Sequence, residues 1–307
     1  MDAVHEPVMC NEAISYLITD NTSVFLDCTL GEGGHSESVL TRFSGIKVFG
    51  VDRDADILKF AENRLSKFGD RFTSINSNFS QTDVITQKLS GNIPDAILVD
   101  LGISVFHYKR SMRGFTFLEN ETLDMRLDHS SMSAADVVNS LEERELTKIF
   151  YKYGEEKFSS LIARRIVGYR NKTPFTGSKE LADVIYDAVP KKFHGKIHPA
   201  TRVFQALRIF VNSELDHIEN GLSGLFEMLK PGGRMGVISF HSLEDRIVKS
   251  YFNELNISCT CPRELQRCVC NTKSRIKWVA KMVVAGEDEI KRNPPSRSAK
   301  FRVVEKI

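Results

Sequence analysis

A cluster of glycines beside a carboxylate provides the first residues in this chain that could bind a charged ligand. Asp27 follows the apolar run 24–26. After it, Gly31, Gly33 and Gly34 fall within a stretch of four positions. Glycine permits a positive φ and lets a ligand approach the backbone closely. A helix predicted directly afterwards would present its free N–H groups to that ligand. Strand, glycine turn and helix in this order predict the nucleotide cleft of an open α/β sheet.

Further polar or flat side chains follow later predicted strands. Asp52 ends the second strand and lies 21 residues after Gly31, about the spacing at which an acidic residue meets a ribose hydroxyl. Phe79 follows the third strand, and Asp100 ends the fourth. Because the carboxyl ends of parallel strands share one edge of a sheet, we expect these side chains to lie along one cleft. The strands are predicted over residues 24–26, 47–51, 72–75 and 96–99.

The predicted strands and helices that must position these residues do not form one continuous stretch of the chain. From 104 to 212 the strand–helix alternation gives way to helical patterns, and alternation returns with strands predicted over 235–240, 279–285 and 301–304. The sequence therefore predicts an α/β protein with a Rossmann-like, mainly parallel sheet. Its discontinuous domain would comprise 1–103 and 213–307, with a helical insertion over 104–212.

The glycine turn satisfies only half of the dinucleotide fingerprint G-x-G-x-x-G, because Ser36 occupies the sixth position. Asp27 gives the order D-x-x-x-G-x-G, which is typical of methyltransferases that use S-adenosylmethionine. The turn at Pro231-Gly232-Gly233 before a late strand is also typical of them. A methyltransferase is favoured over a dinucleotide-dependent oxidoreductase and over a non-catalytic RNA-binding protein that retains the fold.

The charge distribution points to a polyanionic partner. The formal net charge is +2. Residues 157–208 carry a net +8 and residues 263–307 a net +7, so the rest of the chain carries −13. Two basic segments on an otherwise acidic chain suggest that the partner is a nucleic acid, although basic helices that merely face water are the alternative.

Without a long apolar run or a signal-like start, we expect a cytoplasmic protein with no membrane segment.

Many short segments, in order along nearly the whole chain, resemble the bacterial 16S rRNA cytosine-N4 methyltransferase family, RsmH, also called MraW. The block Ser239-Phe240-His241-Ser242-Leu243-Glu244-Asp245-Arg246 is the most specific of them. The others are His5-Glu6-Pro7-Val8, Gly31-Glu32-Gly33-Gly34-His35-Ser36, Asp52-Arg53-Asp54, Asp100-Leu101-Gly102-Ile103-Ser104, Arg113-Gly114-Phe115, Leu123-Asp124-Met125-Arg126, Tyr153-Gly154-Glu155-Glu156, His198-Pro199-Ala200-Thr201-Arg202 and Val211-Asn212-Ser213-Glu214-Leu215.

The resemblance implies a class I methyltransferase domain with an inserted helical domain for rRNA recognition. It implies transfer of methyl from S-adenosyl-L-methionine to N4 of a P-site cytosine of 16S rRNA in the small ribosomal subunit. His107 departs from the family, which usually has Gln in a Ser-Ser-Pro-Gln-like loop. A monomer and a homodimer both stay open. The implied cofactor residues are Gly33, Gly34, His35, Asp52, Phe79, Asp100 and His107.

The chemistry requires a group that handles the proton on the cytosine amine. Asp100 is the candidate, with Ser104 assisting. Structural roles are the alternatives for three residues: a helix N-terminal residue for Asp52, core packing for Phe79 and loop capping for Asp100. His241 and Asp245, four positions apart, would share a helix face and either bind substrate or make a structural hydrogen bond. The candidate substrate-binding residues are Arg164, Arg165, Lys191, Lys192, His198, Arg202, His241 and Asp245.

Four of the six cysteines form two C-x-C pairs, Cys259 with Cys261 and Cys268 with Cys270. Four thiolates could bind zinc, but structural zinc sites commonly use C-x-x-C. We therefore expect reduced cysteines without a metal, with zinc and a redox disulfide as the alternatives.

Overall fold

The computed structural model describes residues 6–128, 131–259, 261, 270 and 272–307. His5 and Cys268, which the sequence patterns include, lie outside these residues. The chain folds as two compact units, one of residues 1–102 with 215–307 and the other of residues 103–214. We refer to them as the sheet unit and the helical unit.

The sheet unit contains seven strands among the described residues, in the spatial order β3-β2-β1-β4-β5-β7-β6. Strands β1 to β5 run parallel to one another, whereas β7 runs antiparallel to both of its neighbours, β5 and β6. This confirms the predicted Rossmann-like, mainly parallel sheet. The strands are β1 (Val24–Asp27), β2 (Lys47–Asp52), β3 (Phe72–Asn76), β4 (Ala96–Asp100), β5 (Arg234–Ser239), β6 (Ile276–Val284) and β7 (Lys300–Lys306).

The α-helices divide between the two units. The helices are α1 (Cys10–Leu17), α2 (Gly34–Arg42), α3 (Ala55–Leu65), α4 (Thr82–Lys88), α5 (Val105–Lys109), α6 (Ala134–Ser140), α7 (Glu143–Gly154), α8 (Ser159–Arg170), α9 (Ser178–Ala188), α10 (Ala200–Val211), α11 (Glu214–Met228), α12 (Ser242–Leu255) and α13 (Glu287–Arg292). No helix among the described residues is both long enough and apolar enough to cross a membrane.

Both faces of the central strands are buried, as expected for parallel strands covered by helices. In β1, Leu26 packs in a cluster with apolar residues of α4, α11 and α12, whereas Phe25 packs in a cluster with those of α1, α2 and α3. Ile97 and Leu98 of β4 divide between the same two clusters. These two layers hold the strand ends in fixed positions.

The helical unit has its own core, formed by apolar faces of α6 to α10. Helix α6 begins with a reciprocal capping box, in which Ser133 accepts from the N–H of Asp136 and the Asp136 side chain accepts from the N–H of Ser133. In α8, Ile162 and Ile166 turn toward this core, whereas Leu161 is 41% exposed. A separate apolar core explains why this segment forms a compact unit.

Candidate active site

The glycine turn joins β1 to α2 in a conformation that two of its glycines make possible. Gly31 and Gly33 have φ values of 53° and 81°, in the left-handed region. A β-carbon at Gly33 would lie 3.0 Å from the Leu65 side chain of α3, so the backbone runs close to that helix. Gly34 is the first residue of α2, so the helix begins within the glycine turn.

Asp52, at the end of β2, binds two backbone N–H groups with its two carboxylate oxygens. Gly31 donates to Oδ2 at 2.8 Å and Asp54 donates to Oδ1 at 3.0 Å. Asp52 therefore holds the glycine turn against the start of α3. Each carboxylate oxygen has two lone pairs, so these bonds leave capacity for hydroxyl donors of a ligand. The side chain is half-buried, and its two bonds give it a structural role in the turn, while the ribose contact stays a prediction.

Phe79, after β3, packs against α11 through a glycine. A β-carbon at Gly221 would lie 2.8 Å from Cδ2 of the Phe79 ring, so no larger residue fits there without moving the ring. The half-buried ring also contacts the apolar cluster on that face of the sheet. Its remaining exposed surface is a flat apolar wall of the kind that an adenine could cover.

Asp27 is a buried acid at the end of β1, only 1% exposed. Its carboxylate accepts from the Ser36 hydroxyl at 2.8 Å and from the Thr29 N–H at 3.4 Å. Burial disfavours the charged form and raises the pKa of Asp27 to about 6, although both hydrogen bonds act in the opposite direction. Asp27 is thus buried beneath the glycine turn and stabilises it through these hydrogen bonds rather than facing solvent.

Asp100, at the end of β4, has a buried oxygen that no described residue satisfies. Its Oδ1 has no hydrogen-bond partner among the described residues, and its side chain is 22% exposed. Burial raises the pKa of Asp100 well above its ordinary value, and the charges of Asp27 and Glu244 raise it further. A buried acceptor without a donor costs free energy, so the site favours a ligand that supplies a donor or a positive charge.

His35, the second residue of α2, lies beside Asp100. Its Nε2 is 2.9 Å from the carbonyl oxygen of Val8, and its Nδ1 is 4.0 Å from Oδ2 of Asp100. Burial lowers the pKa of His35 to about 4, so the ring is neutral at pH 7. A neutral ring that donates from Nε2 to the carbonyl turns an accepting Nδ1 toward the Asp100 carboxyl.

The start of α12 adds a carboxylate that sequence reasoning did not select. Glu244, 1% exposed, accepts from the N–H groups of Phe240 at 2.7 Å and His241 at 3.2 Å. His241 precedes the helix as its cap, and its Nδ1 accepts from the Glu244 N–H at 3.3 Å. The sheet unit thus gathers three acids, since the charges of Asp27 and Glu244 both act on Asp100.

The structure does not place Asp245 and His241 on one helix face, because His241 lies outside α12. Asp245 instead accepts from Arg302 at 2.8 Å and from Lys300 at 3.3 Å, both on β7. These cations lower the pKa of Asp245. The contacts favour a structural role for Asp245 in joining α12 to β7.

Two predicted site residues lie at the start of the helical unit. Ser104 caps α5, and its hydroxyl accepts from the Phe106 N–H at 3.2 Å. His107 is buried, 4% exposed, with ring centroids 5.5 Å from Phe106 and 5.4 Å from Phe115, edge to face. The histidine that replaces the usual Gln is therefore packed between aromatic rings.

The predicted RNA-contacting arginines of the helical unit differ in their surroundings. Arg164, with a side chain 72% exposed, lies 3.5 Å from Glu143, and Arg165 is exposed. Arg202 donates to the carbonyl of Glu155 at 3.3 Å. These exposed guanidinium groups are positioned on the surface of the unit.

His198 belongs to an aromatic group that the sequence patterns did not reveal. Its ring stacks on Tyr186 at 5.2 Å and packs on Phe117 at 4.9 Å, and His194 lies 4.2 Å from Tyr186. Partial burial lowers the pKa of His198. Tyr186 is 40% exposed, so part of the group faces solvent. The repeated aromatics over 186–198 were the available signal, but they have no fixed helical spacing.

Comparisons with known proteins identify the family of this chain. The chain matches the family model described as the MraW methylase family over residues 2–307. It is 48% identical to the "Ribosomal RNA small subunit methyltransferase H" of Treponema denticola over 100% of this chain and 98% of the relative. Proteins of the same name from Carboxydothermus hydrogenoformans and Geobacter sp. are 47% and 46% identical, each over 100% of this chain and 99% of the relative. This chain belongs to the MraW methylase family.

Proposed function

We propose that this protein is an S-adenosylmethionine-dependent methyltransferase that modifies N4 of a P-site cytosine in the 16S rRNA of the small ribosomal subunit. The observation that carries the proposal is the match along the full chain to relatives named ribosomal RNA small subunit methyltransferase H. The carboxylates at the ends of β1, β2 and β4 beside the glycine turn support it independently. A substrate of this kind implies a cytoplasmic enzyme.

The residues present fit S-adenosylmethionine. Asp52 has acceptor capacity for ribose hydroxyls, and Phe79 offers an apolar wall for the adenine. The glycine turn at Gly33 and Gly34 leaves the backbone accessible for the methionine end. The unsatisfied Oδ1 of Asp100, among three acids, suits a ligand with positive charge. When bound, S-adenosylmethionine supplies a methyl group already activated by a sulfonium.

Asp100 is proposed to accept the proton that cytosine must lose. A bound S-adenosylmethionine would supply the methyl group to the amine nitrogen and would keep the electron pair of the broken carbon–sulfur bond. The nitrogen then carries an extra proton, which passes to the Asp100 carboxylate. A carboxylate with a raised pKa is a stronger base than an ordinary one. Ser104, at the cap of α5, is proposed to assist in positioning the amine.

The direct test is methylation of isolated small ribosomal subunits that lack the modification, with S-adenosylmethionine carrying labelled methyl. Digestion to nucleosides should release N4-methylated cytidine, and sequencing should assign it to one position. A matched reaction with NAD as the only cofactor should give no product. Label at another atom of cytosine, at another base or at no base would contradict the proposal.

The surface around 186–198 is proposed to bind rRNA. Exposed Phe193 and Tyr186 offer stacking faces, and Lys192 lies 5.1 Å from the centroid of the Phe193 ring. Lys191 and Lys196 are exposed on the same segment. Cations beside aromatic rings bind the phosphates and unstacked bases of RNA. The target cytosine must also leave its stack to reach a cleft at the sheet edge.

Replacing Lys191, Lys192 and Lys196 together with Gln should weaken binding to the small subunit and reduce its salt dependence. For each phosphate that the variant no longer binds, the slope of log affinity against log salt should fall by about 0.7, the value for single strands. Binding measured over a salt series checks this. The control replaces three exposed lysines of the sheet unit, Lys47, Lys59 and Lys88, with Gln. Equal slopes in both triple variants would rule out this surface as the binding site.

A further inference from the structure

The connection between α12 and β6 contains a group of cysteines that the proposed reaction does not use. The ends of this connection, residues 256–275, are held together where the Arg275 N–H donates to the carbonyl of Leu255 at 2.9 Å. Within it, the sulfur atoms of Cys259, Cys261 and Cys270 all lie within 4.8 Å of one another. Three thiols from separate positions along the segment thus point to one place.

Burial does not explain this convergence. Cys28, in the same unit, is 2% exposed and packs in the core as a small apolar side chain. Cys259, in contrast, is exposed, and Cys261 and Cys270 are only partly buried. At the surface, the apolar character of a thiol gives little gain from clustering, so another interaction must favour the arrangement.

The distances suit a tetrahedral metal ion better than a disulfide. The sulfurs of Cys259 and Cys270 are 3.8 Å apart. Zinc–sulfur bonds of about 2.3 Å at tetrahedral angles place two sulfurs about 3.8 Å apart. A disulfide needs about 2.05 Å and would join only two of the three sulfurs. The close approach of all three sulfurs therefore outweighs the short C-x-C spacing that argued against a metal.

We propose that Cys259, Cys261 and Cys270 bind a zinc ion as thiolates. Thiolate ligands select zinc over the hard cations magnesium and calcium. A bound ion would fix the connection whose ends meet at Leu255 and Arg275, and so would join α12 to the edge strand β6. The proposal uses only these three described thiols, and it is independent of the methyltransferase reaction.

The test uses the full chain, produced in medium supplemented with zinc and purified without chelator. We expect about one zinc per chain by elemental analysis. The variant Cys259→Ser, Cys261→Ser and Cys270→Ser should contain less than about a tenth of that amount. The matched control, Cys10→Ser, should retain the metal, since the Cys10 sulfur instead contacts the Ser38 hydroxyl at 3.2 Å in another part of the sheet unit.

Three readouts cover the case in which the triple variant does not fold. The single variant Cys270→Ser should lose most of its zinc, and in the wild-type protein the zinc should protect Cys259 from alkylation until a chelator is added. Chelator should also lower the melting temperature of the wild type, because a ligand that binds the native state stabilises it. Absence of zinc from the wild type, full zinc in the triple variant or a Cys259–Cys270 disulfide in the purified protein would overturn the proposal.

Discussion

Replacing Asp100 with Asn is expected to lower the turnover of methyl transfer by about 10²- to 10⁴-fold, the range that a positioned general base contributes. Asn keeps the size of the side chain but cannot take a proton. Asn also keeps a carbonyl oxygen that can accept a hydrogen bond from a ligand at the position of Oδ1. Affinity for S-adenosylmethionine, measured by calorimetry, should therefore change much less than turnover.

The pH profile distinguishes a base from a positioning residue. Only the ionised carboxylate accepts a proton, so wild-type turnover should fall as the pH drops through the raised pKa of Asp100. The Asn variant should lack this acid limb. Asp27→Asn removes a charge that raises the pKa of Asp100, so it should move the limb to lower pH without abolishing it. Unchanged turnover in the Asp100→Asn variant would refute the assignment.

Replacing Asp52 with Ala should instead act mainly on cofactor affinity, with a loss of about 100-fold. The variant loses the acceptor for the Gly31 and Asp54 N–H groups as well as the proposed ribose acceptor. Hydrogen bonds to charged groups contribute about 1.5–3 kcal/mol each, so the loss of one strong bond to the ligand accounts for this factor. Calorimetric titration with S-adenosylmethionine gives the dissociation constant directly.

Asp56→Ala is the matched control for Asp52. Its side chain is 54% exposed and pairs with Lys59 on the surface of α3, so cofactor affinity should stay within about twofold of the wild type. At saturating cofactor, the Asp52→Ala variant should recover much of its turnover, because the proposed base is intact. Equal affinity in the two variants would show that Asp52 only supports the turn.

The sequence was sufficient to predict the helices, strands and turns whose residues follow a local pattern. Strands β1, β2 and β4 are short, mainly apolar runs, and all of the first four strands end in Asp or Asn. The structure extends each of these four predictions by one residue at its carboxyl end. The glycine turn was equally clear, because Gly31 and Gly33 adopt a backbone conformation that other residues avoid. Local pattern therefore predicted the edge of the sheet on which the candidate site lies.

The rest depends on contacts between residues far apart in the sequence. No local signal shows that the charge of Glu244 would act on Asp100. None shows that Arg302 and Lys300 would donate hydrogen bonds to the Asp245 carboxylate. The sequence predicts a helical insertion over 104–212 but not the bounds of helix α10 within it. The spacing of Cys259, Cys261 and Cys270 likewise does not show that their sulfurs would lie together.

The position of β7 between β5 and β6 has a consequence for folding during synthesis. The sheet unit cannot complete its hydrogen bonding until β7 has left the ribosome, since β6 pairs with no strand but β7 in the described sheet. Until then the edge of β5 stays open, and open edges are where partly folded chains pair wrongly. The contiguous helical unit closes its core over much shorter loops, so we expect it to fold before the sheet is complete.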